Sequence, residues 1–330
     1  MARAEKIPHI GVVINPTAGL GKGARVGKQV LKELSKHKVE LLDLSGNTAT
    51  DAQARARAAC LSGLEALVVV GGDGMVNLGV NAVVHTPTPL GIIAAGSGND
   101  FARALKLPIN DVAASVAQLM KSLANGSVSK LDVGLVEPYV HAMAHTRVLK
   151  ASPEMNLAHS TGSRRWFAGT LSLGLDAAVN AQANTYRWPK GHLKYLRAVL
   201  ACLAKFRPYG YTITINGNRQ NRTGTLAAVS NAPMFGGGIP IAPHASLTDG
   251  KLNFMFAKPL SVGGILKIFP KLYKGTHLED PAVYTEAITE IVLEPSGEGV
   301  FPPVAMADGE VVGTVPLRVT VQPQLLSLLA

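Results

Sequence analysis

Leu67-Val68-Val69-Val70-Gly71-Gly72-Asp73-Gly74-Met75-Val76-Asn77 is the stretch that decides the fold, because an apolar run ends there in glycines around one carboxylate. The apolar residues from Leu64 to Val70 are typical of a buried strand in a parallel sheet, and Val76 to Val84 is predicted as a helix. A strand that turns through glycine into a helix directs main-chain N–H groups and the positive helix end to one point, which suits phosphate. Asp73 would then face a cation that bridges the phosphates. The alternative is a turn that only reverses the chain.

Two further strands are predicted to end in glycine-rich segments. The strand Ile10–Ile14 runs into Asn15-Pro16-Thr17-Ala18-Gly19-Leu20-Gly21-Lys22-Gly23, and Leu90–Ala94 runs into Gly96-Ser97-Gly98-Asn99-Asp100-Phe101-Ala102-Arg103. The first segment is not a P-loop, because glycine follows the lysine, and its glycine spacing does not fit a dinucleotide fingerprint. In the second, Ser97 and Asn99 would add phosphate donors. Asp100 is either a second carboxylate of the site or the cap of the following helix.

Strands and helices alternate in this half of the chain. Val26 to His37 is predicted as a helix, Val39 to Leu44 as a strand and Asp51 to Leu61 as a helix. This order indicates a mostly parallel sheet that gathers ligands beyond the carboxyl ends of its strands. The loop that contains Ser45 would lie on the same edge.

Composition narrows the class of protein. The 330 residues suggest about two domains, and 47% hydrophobic with 16% charged residues excludes a disordered chain. The net charge of +10 favours anionic partners such as nucleotides, acidic lipid surfaces or nucleic acid. Cys60 and Cys202 have neither metal nor disulfide spacing, which favours a reducing cytoplasm. No apolar run approaches the ~18 residues of a membrane span, so any membrane contact is expected to be peripheral.

The second half is predicted to be rich in β-strands. The candidates are Trp166 to Leu173, Tyr211 to Asn216, Thr225 to Ser230, Leu252 to Ala257, Glu290 to Glu294 and Val311 to Thr320. One predicted helix, Gly191 to Phe206, has an apolar and a basic face, and it either packs on the sheet or touches an acidic membrane. The stretch from Glu137 to Ser163 is expected to be a long connection. Its His141 and His145 are interpreted as ordinary histidines rather than metal ligands.

Two turns of the second half carry acids. Asp249-Gly250 either holds a divalent ion with flanking carbonyls or is a simple turn. Asp308-Gly309-Glu310 places its two acids on one face if the segment is extended, and apart if it turns.

Taken in order, these motifs resemble the diacylglycerol kinase catalytic-domain family, which includes bacterial lipid kinases, sphingosine kinases and ceramide kinases. The matching elements are Asn15–Gly19, Gly71–Gly74, Gly96–Arg103, Asp132-Val133-Gly134, Ser172-Leu173-Gly174-Leu175-Asp176, Asn231–Gly238, Asp249-Gly250 and Asp308-Gly309-Glu310. The resemblance implies an α/β nucleotide-binding domain like that of NAD kinases and phosphofructokinases, formed by 1–130 with 316–330. It also implies a C-terminal β-sandwich over 131–315, with lipid bound in the cleft between the two.

The resemblance further implies the residues of the site. ATP would contact Asn15, Pro16, Thr17, Ala18, Gly19, Ser45, Gly71, Gly72, Asp73, Gly74, Met75, Val76, Asn77, Gly96, Ser97 and Asn99. Asp73 and Asp100 would organise Mg²⁺ at the phosphates, and Glu310 would be the general base, a role for which Asp73 competes. Asp249, with the main chain of Ser246 and Lys251, would hold a structural Mg²⁺.

The implied activity is ATP-dependent phosphorylation of the primary hydroxyl of diacylglycerol or a similar neutral lipid, giving phosphatidic acid and ADP. The enzyme would work at the cytoplasmic membrane face with peripheral membrane contact and no nucleic acid, and a homodimer is left open. An NAD kinase would share the Gly71–Gly74 motif, but the motif Asn99–Arg103 and the Gly236–Gly238 block favour a lipid kinase. Met75 stands where the family usually has Thr. We expect retained activity with altered nucleotide contacts, the alternative being a catalytically weak lipid or nucleotide carrier.

Overall fold

A computed structural model describes residues 7–140, 164–186, 188 and 192–330. His141, His145 and most of the predicted long connection lie outside these residues. Among the described residues, no helix combines the length and the apolar character needed to cross a membrane.

The first half alternates strands and helices, as the sequence predicts. In order they are β1 (His9–Ile14), α1 (Ala18–Gly21), α2 (Gly23–Leu34), β2 (Glu40–Asp43), α3 (Ala49–Leu61), β3 (Ala66–Gly71), α4 (Asp73–Val83), β4 (Leu90–Ala94), α5 (Asp100–Ala104) and α6 (Val112–Ala124). The strands pair in parallel in the order β2-β1-β3-β4. Their carboxyl ends therefore share one edge of the sheet.

Helices cover both faces of this parallel sheet. Val68 and Val70 of β3 belong to a buried cluster with residues of α2 and α6, whereas Leu67 and Val69 belong to a cluster with residues of α3 and α4. Successive side chains of a strand point to opposite faces. The continuous apolar run of β3 is explained because both of its faces are buried.

The second half contains the remaining elements. They are β5 (Ser129–Pro138), β6 (Arg165–Phe167), β7 (Thr170–Gly174), α7 (Leu175–Thr185), α8 (His192–Ala204), β8 (Tyr209–Ile215), β9 (Asn218–Gly224), β10 (Leu226–Ser230), β11 (Leu252–Ala257), α9 (Val262–Lys274), β12 (Val283–Ile288), β13 (Glu290–Pro295), β14 (Ala305–Ala307), β15 (Glu310–Gly313) and β16 (Leu317–Leu329).

Two sheets form a sandwich in this half. One sheet has the order β12-β11-β10-β7-β14-β15, and the other joins β9, β8, β13 and β16 to the parallel strands. Leu171 and Phe254 from the first sheet pack with Tyr211 and Leu293 from the second in one buried core. The last strand serves both halves, because it pairs with β13 near its start and with β4 near its end. The predicted division at residues 130 and 316 stays a prediction.

The structure corrects the predicted strands at two places. The segment Trp166–Leu173 is two strands, since the N–H groups of Ala168 and Gly169 donate to the Asp308 carboxylate instead of to a neighbouring strand. Val311–Thr320 is likewise divided between β15 and β16, because Pro316 stands between them and has no N–H to continue a ladder.

Helices α7 and α9 were not predicted from the sequence. The ends of α9 have the expected signals, a Ser261 hydroxyl that accepts from the Gly264 N–H and a left-handed Gly275. Its interior contains Pro270 and a Gly-Gly pair, which argue against a helix in a sequence pattern.

Candidate functional site

The three glycine-rich segments meet at the carboxyl edge of the parallel strands. A methyl group placed on Gly96 would lie 2.3 Å from the Gly72 Cα, and one on Gly19 would lie 2.8 Å from the Ala95 carbonyl oxygen. Only residues without a Cβ allow main chains to approach this closely. The sequence predicted these segments for one site, and the fold brings them into contact.

Several side chains proposed to contact ATP also hold the loops in place. The Asn15 side-chain oxygen accepts from the Thr17 N–H at 3.0 Å, and the Ser45 hydroxyl accepts from the Ile14 N–H at 2.9 Å. The Asn99 amide bonds both the N–H and the carbonyl of Gly96, each at 2.9 Å. These groups fix the shape of the main-chain surface, and their contact with ATP stays a prediction.

At the turn into α4, some main-chain N–H groups are already hydrogen-bonded within the turn and others are not. The N–H groups of Met75 and Val76 both donate to the Gly72 carbonyl. An α-helix leaves the first N–H groups without intrahelical partners, so Asp73 and Gly74 are the residues of this turn whose N–H groups suit a phosphate.

The Met75 side chain is buried in the core, and a methyl group on Gly71 would lie 2.5 Å from its Cγ. The thioether therefore packs back onto the strand and fills space there. An effect of Met75 on nucleotide contacts stays a prediction.

Two carboxylates lie on the side of Gly98 where a Cβ would stand. A methyl group on this glycine would lie 2.8 Å from Asp73 Oδ2 and 3.7 Å from Asp100 Oδ2. Asp73 Oδ1 accepts from the Phe101 N–H at 3.1 Å, so Asp73 satisfies a donor at the start of α5. The alternative that Asp100 caps this helix is wrong, because its Oδ2 accepts from the Gly237 N–H of the second half at 2.8 Å.

Burial, with a smaller contribution from the carboxylates of Asp100 and Asp308, raises the pKa of Asp73 to about 6 against the lowering effect of the Phe101 N–H. A positive charge near Asp73 would reverse this effect and favour the ionised form. The electrostatics of this position thus suit a cation.

The oxygen donors present fit Mg²⁺. Asp100 Oδ1 is buried and has no hydrogen-bond partner among the described residues, and Asp73 Oδ2 and Asp100 Oδ2 both lie within 4 Å of the position that a Gly98 methyl group would take. No group of three or more His, Cys, Asp or Glu side chains that could hold a metal ion by themselves occurs in the described ranges. Mg²⁺ is commonly held by one or two carboxylates together with substrate phosphates and water, so two carboxylates are sufficient here.

Glu310 reaches the same place from the second half. A methyl group on Gly74 would lie 4.0 Å from Glu310 Oε1, and the Glu310 side chain is exposed. The Asp308-Gly309 turn has left-handed φ angles of +50° and +85°, so the two acids diverge. Of the two alternatives for this segment, an extended strand and a turn, the turn is correct.

Asp308 ties the two halves together. Its carboxylate accepts from the Asn77 side-chain amide at 3.0 Å and from the N–H groups of Ala168, Gly169 and Thr170 at 2.8 to 3.1 Å. Burial raises the pKa of Asp308 against the lowering effect of these four donors. Sequence reasoning missed this role, because the partners lie 138 to 231 residues away.

A second carboxylate with an unpredicted role is Asp132, which is fully buried. Its two oxygens accept from the Gly250 N–H at 2.7 Å and from the Gln324 N–H at 2.8 Å. The Asp-Val-Gly motif was recognised in the sequence, but no function was assigned to its acid. The carboxylate anchors the turn that carries Asp249 to the last strand.

The predicted structural metal site lies at this anchored turn. Asp249 Oδ1 accepts from the Lys251 N–H at 3.0 Å, and the Ser246 hydroxyl accepts from the Thr248 N–H at 3.3 Å. Asp249 is exposed. Mg²⁺ binding by Asp249, Ser246 and Lys251 stays a prediction.

The chain is similar to known lipid kinases along nearly all of its length. Residues 9–136 match the diacylglycerol kinase catalytic domain, and residues 169–330 match the YegS C-terminal NAD kinase beta sandwich-like domain. A diacylglycerol kinase of Mycobacterium tuberculosis is 29% identical over 328 residues, which cover 99% of this chain and 96% of the relative. A diacylglycerol kinase of Bacillus subtilis is 26% identical over 280 residues, covering 84% and 82%.

The fold is also found in a solved structure. A crystal structure from Bacillus anthracis, described as that of a diacylglycerol kinase, superposes with a TM-score of 0.64 at 17% identity. The match covers 99% of this chain and 98% of that one. At this identity the likeness shows the fold, and the predicted combination of an α/β domain and a β-sandwich is confirmed.

Proposed function

The chain belongs to the diacylglycerol kinase catalytic-domain family of lipid kinases, and we propose that its acceptor is diacylglycerol or a similar neutral lipid. The product would be phosphatidic acid, with ADP released at the cytoplasmic face of the membrane. The observation that best supports phosphoryl transfer is the position of Glu310, whose carboxylate faces Gly74 across the two halves of the chain.

The phosphates of ATP would lie against the glycine surface formed by the three segments. Main-chain N–H groups of Asp73 and Gly74 would donate to phosphate oxygens at the positive end of α4. Bound between Asp73 and Asp100, Mg²⁺ would neutralise the charge that gathers on the phosphate oxygens during transfer.

Glu310 would accept the proton of the lipid hydroxyl as that oxygen attacks the γ-phosphorus and the bond to the ADP oxygen breaks. A carboxylate within reach of the acceptor oxygen suits this role. Asp73 fits it less well, since one of its oxygens already accepts from the Phe101 N–H. The exposed carboxylate of Glu310 is free to follow the acceptor hydroxyl.

The proposal is tested with labelled ATP, Mg²⁺ and a panel of diacylglycerol, ceramide, sphingoid base and NAD. We expect label in diacylglycerol, and label in NAD alone would overturn the lipid acceptor. Glu310→Gln should lower kcat by about 10²-fold or more, as loss of a general base does, with ATP binding retained. Glu298→Gln, an exposed acid in the loop after β13, is the matched control. Undiminished transfer by Glu310→Gln would remove Glu310 from the mechanism.

A further inference from the structure

Helix α9 is apolar on two faces. Ile265 and Leu272 pack against residues of the second half. On the other side, Val262, Leu266, Phe269 and Tyr273 keep 44%, 59%, 43% and 58% of their surface exposed. Their spacing of four, three and four residues puts them on one side of the helix. We call these four residues the outer stripe.

The charged side chains of α9 itself are all positive. Lys267, Lys271 and Lys274 are exposed, and the helix contains no acidic residue. Of the three, Lys271 binds Asp280 at 2.8 Å. A helix with an apolar stripe that includes aromatic rings and is flanked by lysines is typical of segments that lie in a membrane interface.

We propose that the outer stripe of α9 docks on a bilayer that contains acidic lipids. The four apolar side chains enter the interface, and the lysines lie at the level of the anionic headgroups. The inference rests on the proposed function in that a lipid acceptor resides in such a bilayer. A protein partner would have to supply both an apolar groove and carboxylates, and a second copy docked through its own α9 would set lysine against lysine.

The outer stripe is connected to the candidate site by a short path. Gly275, at the end of α9, packs against Pro240 and Pro243, since a methyl group there would lie 3.3 and 3.4 Å from their rings. These prolines follow Gly237, whose N–H donates to Asp100 at 2.8 Å. The loop that carries Gly237 therefore packs against the end of the docking helix.

The test measures co-sedimentation of the full chain with vesicles of phosphatidylglycerol and phosphatidylcholine in equal parts. Leu266→Glu with Phe269→Glu should weaken binding by about tenfold or more, because two apolar side chains that would enter the bilayer interface are lost. The matched control is Leu42→Glu with Leu61→Glu, two similarly exposed leucines of β2 and α3, which should leave binding unchanged. Far-UV circular dichroism and thermal melting check that each variant is folded.

A second pair tests the charge. Lys267→Glu with Lys274→Glu should weaken binding to the acidic vesicles by about tenfold or more. Binding to vesicles of phosphatidylcholine alone should change little. Lys32→Glu with Lys121→Glu makes the same change of net charge on exposed positions of α2 and α6. If this control lost as much binding as the α9 variant, binding would depend on net charge alone, and the proposal would be overturned.

Three other results would also overturn the proposed docking surface. They are absence of wild-type binding to acidic vesicles, unchanged binding by both folded α9 variants, and a wild-type dimer that the α9 variants convert to monomer. Kinase activity toward a short-chain, water-soluble diacylglycerol is measured separately and should be unchanged by the α9 variants. Vesicle binding without phosphorylation of any lipid would refute the proposed function and leave the docking surface standing.

Discussion

Replacing Asp308 with asparagine should show how much of the stability depends on the contact between the two halves. The carboxylate accepts four N–H groups, one from the Asn77 side chain and three from the main chain of 168–170. In Asp308→Asn one of its oxygens becomes an amide nitrogen. Whichever way the amide turns, two of the four donors then face another donor. Asparagine tolerates the left-handed φ of +50° as aspartate does, so main-chain strain does not contribute to the loss of stability.

The expected loss follows from these two donors. Each buried N–H left without an acceptor costs about 1–3 kcal/mol. Removal of a buried charge, whose desolvation raises the pKa of Asp308, offsets part of that cost. The free energy of unfolding should therefore fall by about 2–5 kcal/mol.

Urea unfolding at neutral pH, followed by tryptophan fluorescence and circular dichroism, measures this loss. Glu310→Gln is the matched comparison, because it lies two residues away with an exposed side chain. It should change the unfolding free energy by less than about 0.5 kcal/mol while it lowers kcat by about 10²-fold or more. An Asp308→Asn protein that unfolds at the wild-type urea midpoint would refute the role of this carboxylate.

Three further substitutions have defined outcomes. Burial raises the pKa of Asp176 from 3.8 to about 6, so the folded protein binds this proton more tightly than the unfolded chain does. The resulting contribution to stability is fully present below pH 3.8, the ordinary pKa, and is lost as pH rises through 6. Asp176→Asn should remove up to about 3 kcal/mol of pH-dependent stability between pH 4 and 7, and parallel urea-unfolding profiles for the two proteins would contradict this. Gly98→Ala should lower kcat/KM at least about tenfold by displacing the Asp73 carboxylate, whereas Gly297→Ala, which meets open space, should not. Met75→Thr should lower the free energy of unfolding by about 1–3 kcal/mol through a cavity against Gly71 and keep kinase activity; unfolding at the wild-type urea midpoint would show that the thioether does not support the core.

The parallel part of the fold was predictable, since it follows from local pattern and a topological rule. Apolar runs that end in glycine gave β1, β3 and β4, and parallel pairing then put their exits on one edge. In contrast, β9 has no apolar residue between Asn218 and Gly224. It is a strand because the left-handed Asn216 and Gly217 turn it back along β8, with which it forms a complete ladder. No periodicity within the segment carries that information.

The candidate site also has a part that could be predicted from the sequence and a part that could not. Asp73, Asp100 and the glycines were found because strand exits and family motifs mark them in the sequence. The hydrogen bonds of the two acids were not predicted: capping of α5 by Asp100 was one of two alternatives, but Asp73 accepts from the Phe101 N–H and Asp100 from the Gly237 N–H. A side chain that is bonded across a fold depends on the position of remote segments. Its role cannot be derived from the residues beside it.

The hydrogen bonds between the two halves also explain why carboxylates are used to join the halves. The main-chain N–H groups of Gly237, Ala168 and Gly169 lie in loops, where no neighbouring strand supplies an acceptor, and main-chain donors of a folded protein require one. A carboxylate has two acceptor oxygens that can serve several donors, so Asp100 and Asp308 each close one of these loops onto the first half. Asp73 lies near both, and its pKa is raised by both. The same acids that fix the two halves thus set the charge that a cation and a phosphate would meet at the site.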